Sequence, residues 1–540
     1  MSALGGLLVA GLALPAVGSI GLGVKTAANK FEALSTSALG QVPQRSEILD
    51  SQGHLIAYIY DVNEPYYYAP GNVQTVSYND GIDRAPVSYS QISPNVRNAA
   101  IAIEDSRYWL HGAIDFRGTL RAIVNDLEHQ PIQGGSTIAQ QYVKNVLVLT
   151  ANDPLAAEGA TSDTLSRKLH QLRLAIAIEH QMSKQDILAG YLNDAYFSGP
   201  IVGVQTAAET FFDTTAAKLT LTEGATLAGM VEDPAAYNPV TEPTRSLERR
   251  NTVLARMAQV GMISNATAKA AENQPLGLHA TQTQNGCTSD SAANEGFFCD
   301  YVIQSILRDP ALGKTPADRA HLLATGGLTI RTTLNARDQR AADNAVNYVL
   351  PSRGRFNPGR LADAEAVVQP GTGKIRAIAE DRGYGIGPGK TTIDYAATMP
   401  YDGGIGVQTG SSSKLFTLVT ALEQGIPFGF TQTVQYSETV QPYLNCDGQE
   451  DSAYQLVNAG TGDHGTYSLY TGTTDSINTF FAELERKVGL CNVVQTASKL
   501  GMTWGDGQSL FDTYEPYGPK GKLKQEPADD TPSFTLGSLN

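Results

Sequence analysis

Two sets of side chains, far apart in this 540-residue chain, have the types and spacing to do chemistry. In the first, Glu104-Asp105 and His111 precede Gly134-Gly135-Ser136-Thr137, with Gln140, Gln141 and Lys144 following. A carboxylate can take a proton, and the N–H groups of a glycine turn opening a helix can hold an anion such as a pyrophosphate. That combination points to glycosyl transfer. In the second set, Ser411-Ser412-Ser413-Lys414 precedes Ser476-Ile477-Asn478. Ser411 and Lys414 are three apart, so one helical face carries both hydroxyl and amine, and a helix N-terminus favours negative charge on oxygen. Ser412 and Ser413 have no lysine three residues on, which leaves Ser411 as the candidate nucleophile of an acyl transfer. Each piece alone has a plainer use: paired acids solvate helix ends, Ser136 or Thr137 can be an N-cap, and Ser-x-x-Lys recurs by chance.

The elements that must position these groups follow from periodicity. Ser46–Asp50 and Leu55–Ile59 read as short strands around a Ser51-Gln52-Gly53 turn. From about 91 to 257 apolar residues recur at three and four: Val96–Ile103, Phe116–Leu127, Thr137–Leu147, Leu165–Ile178 and Lys184–Leu192 are predicted helices, the last capped by Ser183. The polar stretch 150–164 has no periodicity and reads as a loop. Residues 364–380 switch to a period of two around Pro370-Gly371-Thr372-Gly373, a hairpin, and helices are expected to begin near Ser411 and Ser476. The expected segments are 1–24, 45–90 (strands), 91–257 (helical domain), 258–360 (connecting region) and 361–540 (strands beside helices).

Composition bounds the rest. Hydrophobic content of 41% and charged content of 17% suit globular domains with real cores. A net charge of −15 excludes nucleic acid as a natural partner. Residues 2–24 carry no charge and are long enough to cross a bilayer. Lys25 and Lys30 follow this run and no basic residue precedes it, so positive-inside counting alone would leave the body cytoplasmic. A basic head missing before Met1 would reverse that count. An even cysteine count behind an export signal favours disulfides 287–299 and 446–491, against a plainer reading of four buried thiols. No Cys/His spacing suggests zinc, and His111, Tyr108 and Trp109 read first as structural residues.

Glu104-Asp105-Ser106-Arg107-Tyr108-Trp109-Leu110-His111 and Gly134 through Asn145 (GGSTIAQQYVKN) resemble the family 51 glycosyltransferases, the polymerising module of class A penicillin-binding proteins. Arg167-Lys168, Glu179, Lys184, Ile187-Leu188, Tyr191-Leu192-Asn193 and Arg249-Arg250-Asn251 extend the likeness, and Ser411-x-x-Lys414 with Ser476-x-Asn478 resembles their penicillin-binding transpeptidase module. The resemblance runs from about residue 45 to the end. It implies a multidomain chain: an N-terminal transmembrane helix, a mostly α, lysozyme-like transferase domain, and an α/β serine transpeptidase domain. The third transpeptidase element, a Lys-Thr-Gly strand, is not found, and Leu536-Gly537-Ser538 resembles a stretch well before it, so the chain is expected to be C-terminally truncated.

By the same resemblance Glu104 would be the general base, and Asp105, Ser136, Thr137, Gln141, Lys144, Arg167 and Lys168 would line the donor site. Ser411, Lys414 and Ser476 would be catalytic, and Asn478 would bind substrate backbone. The family's second catalytic glutamate falls on Gln171, an amide that bears no charge and exchanges no proton. Ala113 and Ala139 replace the family's Gly and Thr, and Pro200 stiffens a glycine-rich loop. The implied function is glycan polymerisation from lipid II, impaired by Gln171, and peptide cross-linking through an acyl-enzyme on Ser411. The rival readings are a catalytically silent scaffold binding lipid II and cell-wall partners, and a DD-carboxypeptidase. Implied partners are lipid II, the nascent glycan strand, the stem peptide and, as inhibitors, beta-lactams. A divalent cation (Mg or Mn) would serve the transferase and none the transpeptidase. The implied location is the plasma membrane, single-pass, with the bulk extracytoplasmic.

Overall fold

The computed structural model describes residues 40–62, 81–115, 136–151, 153–162, 164–281, 284–289, 292, 294–350, 361–444, 446, 448–451, 453–511 and 531–537. The anchor expected at 1–24, the Phe116–Leu127 helix and Gly134-Gly135 lie outside these residues. Among the described residues no helix is long and apolar enough to cross a membrane. The chain forms two units, Met1–Ala293 with Ile306–Thr332, and Asn294–Ser305 with Thr333–Asn540. The expected connecting region 258–360 is therefore no separate body. Its strand Thr329–Arg331 pairs in parallel with Ser46–Leu49, through Ile48 opposite Ile330, and so belongs to the first unit.

In that unit, β1 (Ser46–Leu49) and β2 (Leu55–Ile59) form the expected antiparallel pair around the 51–53 turn. The helices include α1 (Pro94–Glu104), α2 (Ile138–Leu149), α3 (Pro154–Thr161), α4 (Leu165–Gln181), α5 (Lys184–Asn193), α6 (Val204–Phe212), α7 (Leu221–Met230) and α8 (Pro243–Gln259). The four predicted helices that fall within the described residues lie where their apolar stripes do, within a turn at their ends. Ser183 caps α5 by accepting from the Asp186 N–H at 3.1 Å. The stretch 150–164 differs from expectation. Asp153 caps a helix there with Pro154 in its first turn, and Ala157 is the buried residue. A short alanine-rich helix needs no apolar stripe, so periodicity missed it while the Asp-Pro start signal was present.

One core joins these helices except α3, and α1 runs through it toward Glu104. Ser93 accepts from the Asn95 N–H, Pro94 opens the helix, and Val96, Ala99, Ala100, Ile101 and Ala102 turn inward. These small side chains let α1 lie close to α7. A Cβ on Gly224 would come within 2.8 Å of the Val96 nitrogen and 3.0 Å of its Cα. Along the other side α8 is tied to the end of α1, since Arg256 donates to the Ala102 carbonyl and to the Ser106 hydroxyl, each at 3.3 Å. Glu104 is thus delivered at the C-terminal end of a helix gripped from two sides.

In the second unit α9 (Ala336–Val349) packs on the hairpin β3 (Ala364–Gln369) and β4 (Lys374–Glu380), in the register Ala366 opposite Ile378. Its main core gathers α10 (Lys414–Glu423), α11 (Asn478–Val488) and α12 (Leu490–Lys499) around Phe480, Phe481, Leu484, Val493 and Phe534. The remaining described strands form two-stranded pairs. Cys446 and Cys491 are joined in a disulfide with Cα atoms 4.9 Å apart, and neither Cys287 nor Cys299 is a free thiol.

Gly224→Ala is expected to push α1 off α7 and to cost about 1–3 kcal/mol of stability, measured as the urea-unfolding midpoint of the first unit; an unchanged midpoint contradicts the close approach.

Candidate active sites

In the first unit the end of α1 meets the second turn of α2. Gln141 donates to Glu104 Oε2 at 2.8 Å. Burial pushes the Glu104 carboxyl above its ordinary range. The Gln141 hydrogen bond and the charges of Arg249 and Lys144 pull it back, and Glu232 pushes it up again. Lys144 is pushed down by burial, partly restored by Glu104 and lowered further by Arg167. Glu104, Gln141, Lys144, Arg167, Arg249 and Glu232 therefore form one electrostatic cluster. Arg249 pairs with Glu232 at 2.8 Å and also donates to the Gly229 carbonyl at 3.3 Å. Such a cluster offers a poorly solvated base beside cations suited to a leaving phosphate.

Several other expected site residues hold the frame of this cluster. Asp105 accepts from the Ile138 N–H at 3.3 Å, which fixes the start of α2, and faces His111 Nε2 at 2.7 Å. Thr137 caps α2 by accepting from the Gln140 N–H and donates to the Ala113 carbonyl at 2.9 Å. Ser136 and Lys168 are exposed. Glu179 accepts from Lys184 at 2.7 Å, and Tyr108 donates to the Lys184 carbonyl at 2.6 Å. Arg250 is fully buried and spends its guanidinium on the carbonyls of Glu272, Gln274 and Pro275 and on Asn251. Gln171 is buried. It accepts from Arg167 Nη1 at 2.7 Å and donates to the Ala160 carbonyl at 2.9 Å.

Sequence reasoning quoted Arg249 without a role and did not single out Glu232. The Arg-Arg-Asn run held the signal: of two adjacent arginines on a helix, one must face away from the other.

Asp105, His111 and Asp115 are the metal-ligand cluster among the described residues, with ligand atoms within 4.8 Å of one another. They do not fit a cation as arranged. Both Asp105 oxygens already accept hydrogen bonds, Asp115 pairs with Arg107 at 3.5 Å, and the two His111 nitrogens face the Gly112 carbonyl and Asp105. A ring whose two nitrogens both face acceptors turns no lone pair to a metal.

In the second unit the nucleophile turn is a 3₁₀ helix, Gly410–Ser413, that passes into α10 at Lys414. The expected α-helix at Ser411 thus starts three residues later. Ser411 lies in the 3₁₀ turn and Lys414 opens the α-helix that follows. The Ser411 hydroxyl is exposed and does not hydrogen-bond Lys414. The buried ammonium donates to the Ser476 carbonyl (2.6 Å), the Ser476 hydroxyl (3.0 Å) and Asn478 Oδ1 (2.7 Å). Burial lowers Lys414 to about 8. Ser476 sits at φ 53°, two residues before α11, a left-handed conformation costly for a residue with a Cβ. Lys414 holds it there through the Ser476 carbonyl.

Behind these groups Asn458 donates to the carbonyls of Gln435 and Asp463 and to Thr479, and accepts from the Thr479 N–H. Asn478 donates to the Val457 carbonyl at 3.0 Å. Neither Asn458 nor the backbone strain at Ser476 left a sequence signal. The nucleophile turn is buttressed from behind: Thr417 and Thr535 share a hydrogen bond of 2.8 Å. Gly537, at φ 73°, lies so close that a Cβ on it would come within 2.2 Å of the Gly410 nitrogen.

Residues 71–258 match a family model described as Transglycosylase. The chain is 32% identical over 443 residues to penicillin-binding protein 1A of Mycobacterium tuberculosis, covering 80% of this chain and 48% of that protein. It is 32% identical over 344 residues to penicillin-binding protein 1F of Bacillus subtilis, covering 63% of this chain and 41% of that protein. The chain thus spans about half the length of the curated relatives it matches. A solved structure of penicillin-binding protein 1A from Haemophilus influenzae aligns at 17% identity over 92% of this chain and 66% of that one, with a TM-score of 0.44, too low to carry an argument.

Two outcomes follow from the geometry. Glu104 holds its proton more tightly in the folded chain than in the unfolded one, so its ionisation subtracts stability as pH rises past the ordinary carboxyl range. Glu104→Gln is expected to stabilise the first unit at about pH 7 and to lose that advantage toward about pH 4, read by urea melts at both values; a variant less stable at neutral pH contradicts the buried-carboxylate reading. Gly537→Ala is expected to cost the second unit more than about 1 kcal/mol in the same melt, while Gly429→Ala, where nothing lies within 4 Å of the new Cβ, stays near the parent.

Proposed function

We propose that this chain, which carries a transglycosylase domain and is a relative of the class A penicillin-binding proteins, builds peptidoglycan: it polymerises glycan from lipid II and serves peptide cross-linking through Ser411. The observation that carries the first half is the gathering of Glu104, Gln141, Lys144, Arg167 and Arg249 into one charged cluster. Ionised Glu104 takes the proton of the acceptor's 4-hydroxyl. That oxygen bonds to the anomeric carbon of the growing strand, and the bond from this carbon to the undecaprenyl pyrophosphate breaks. Lys144 and Arg167 meet the charge that develops on the leaving pyrophosphate. The divalent cation implied by the resemblance has no ligand set in the Asp105 cluster, and no step here runs through it.

Gln171 stands where the family carries a second catalytic glutamate, so polymerisation is slow. Losing one positioned carboxylate removes a factor of roughly 10² to 10⁴.

In the second unit, Lys414 in its neutral form takes the Ser411 proton as the oxygen attacks the penultimate D-alanine carbonyl of a stem peptide. The terminal D-alanine leaves with a proton relayed through Ser476, and a neighbouring peptide amine resolves the acyl-enzyme into a cross-link. Beta-lactams would acylate the same oxygen. A lipid-linked substrate places the protein at the plasma membrane, single-pass through the 1–24 segment, with the bulk extracytoplasmic.

The second reading is a silent scaffold that binds lipid II. It is favoured by one observation: both ends of the Gln171 amide are consumed in holding the fold. Lipid II polymerisation by the purified chain separates the two readings. The enzyme reading expects slow strand synthesis that Glu104→Gln abolishes. The scaffold reading expects lipid II retention with no synthesis by either protein. Labelling by a fluorescent penicillin is expected to require Ser411 and to rise with pH through about 8, as Lys414 loses its proton. Labelling that survives Ser411→Ala, or that falls across that interval, contradicts the assignment, and release of D-alanine without cross-links would make the second unit a carboxypeptidase.

A further inference from the structure

The side chain of Gln171 closes a small hydrogen-bonded ring that no charge argument anticipates. It is 7% exposed. Its carbonyl accepts from Arg167 Nη1 at 2.7 Å and its amide donates to the carbonyl of Ala160, near the end of α3, at 2.9 Å. Arg167 in turn donates through Nε to the carbonyl of Ser162, and its backbone N–H to the Thr164 hydroxyl at 3.3 Å. The end of α3, the turn after it and the first turn of α4 are therefore tied together through two side chains.

Beyond its packing against α2, α3 buries little of itself. It has eight residues, of which Ala157 is buried while Leu155 is 78% exposed. So short a helix does not persist in water on its own hydrogen bonds. Its docking depends on tertiary contacts, and the bond from the buried Gln171 amide to the half-buried Ala160 carbonyl is one of them. A glutamate in the same place could accept from Arg167, but ionised it has no hydrogen to give the Ala160 carbonyl, and it would set a charged oxygen against that carbonyl. The amide is the group that serves both partners at once.

We propose that Gln171 is a positioning residue: it latches α3 onto α4 and, through the same amide, fixes Arg167 at the edge of the cluster that contains Lys144 and Glu104. This rests on the reading of that cluster as the site for a lipid-linked pyrophosphate. The replacement of a carboxylate at this position therefore exchanges charge for a docked segment, and Gln171→Glu is not a simple repair. It unfastens α3 as it restores the acid.

The test is hydrogen exchange in the full chain, followed over residues 154–162 and compared with the parent at each pH. Gln171→Leu is expected to exchange about tenfold faster at every pH, the effect of one lost, partly buried hydrogen bond. Gln171→Glu is expected to exchange faster at about pH 8 and like the parent once acid protonates the new carboxyl, because a neutral carboxyl both donates and accepts. Parent-like exchange in Gln171→Leu, or an effect in Gln171→Glu that does not depend on pH, overturns the latch. For the positioning of Arg167, the Glu104→Gln chain removes turnover, and fluorescent lipid II is expected to bind it about tenfold more tightly than it binds the Glu104→Gln, Gln171→Leu chain. Equal binding overturns the positioning role. Failure of the Glu104→Gln chain itself to bind lipid II overturns the proposed function instead, and leaves the exchange data to decide the latch.

Discussion

A carboxylate kept out of water beside cations is the constraint on which the first unit depends. Glu104 is costly where it sits, and α1 ends there because α7 and α8 grip it from two sides. Burial raises the carboxyl's affinity for a proton, which is what a general base needs, while Gln141, Lys144 and Arg249 keep its ionised form accessible. In the proposed reaction the same neighbours would supply positive charge for a departing phosphate. Stability given up at Glu104 and chemistry gained there are two readings of one interaction.

The second unit applies the rule with the opposite sign. Lys414 is a buried amine whose proton affinity falls, and its three hydrogen bonds converge on Ser476 and Asn478. Strain is stored at Ser476 and resisted by Lys414, and the nucleophile turn is braced by Gly537. The amine faces Ser476 while Ser411 is exposed. In the proposed reaction the proton relay would thus be assembled ahead of the nucleophile's own hydrogen bond. That fits a site that tightens around bound substrate.

What could be read in the sequence was whatever repeats or is spaced. The stripes of α1, α2, α4 and α5 fixed their extents to within a turn, and the 364–380 hairpin announced itself by its change of period. Residues close in sequence drew attention together: Gln141 with Lys144 on one helix, and Ser411 with Lys414 across the junction of two. Groups brought in by tertiary packing were not. Arg249 and Glu232 reach Glu104 only because α7 and α8 pack on α1. Asn458 matters through bonds to chain segments remote in sequence. Helix α3 escaped because eight alanine-rich residues carry no stripe, and Gln171 looked like a lost charge because a hydrogen-bonding role leaves no pattern in one dimension.

Direct titration of Glu104 tests the central claim most plainly. With carboxylates isotopically labelled, an infrared difference spectrum between the parent and Glu104→Gln isolates the one carboxyl as pH is varied. A buried base among Gln141, Lys144 and Arg249 titrates above the ordinary glutamate range. A midpoint at or below that range would mean that water reaches this carboxylate freely, and the account of the first site would fail.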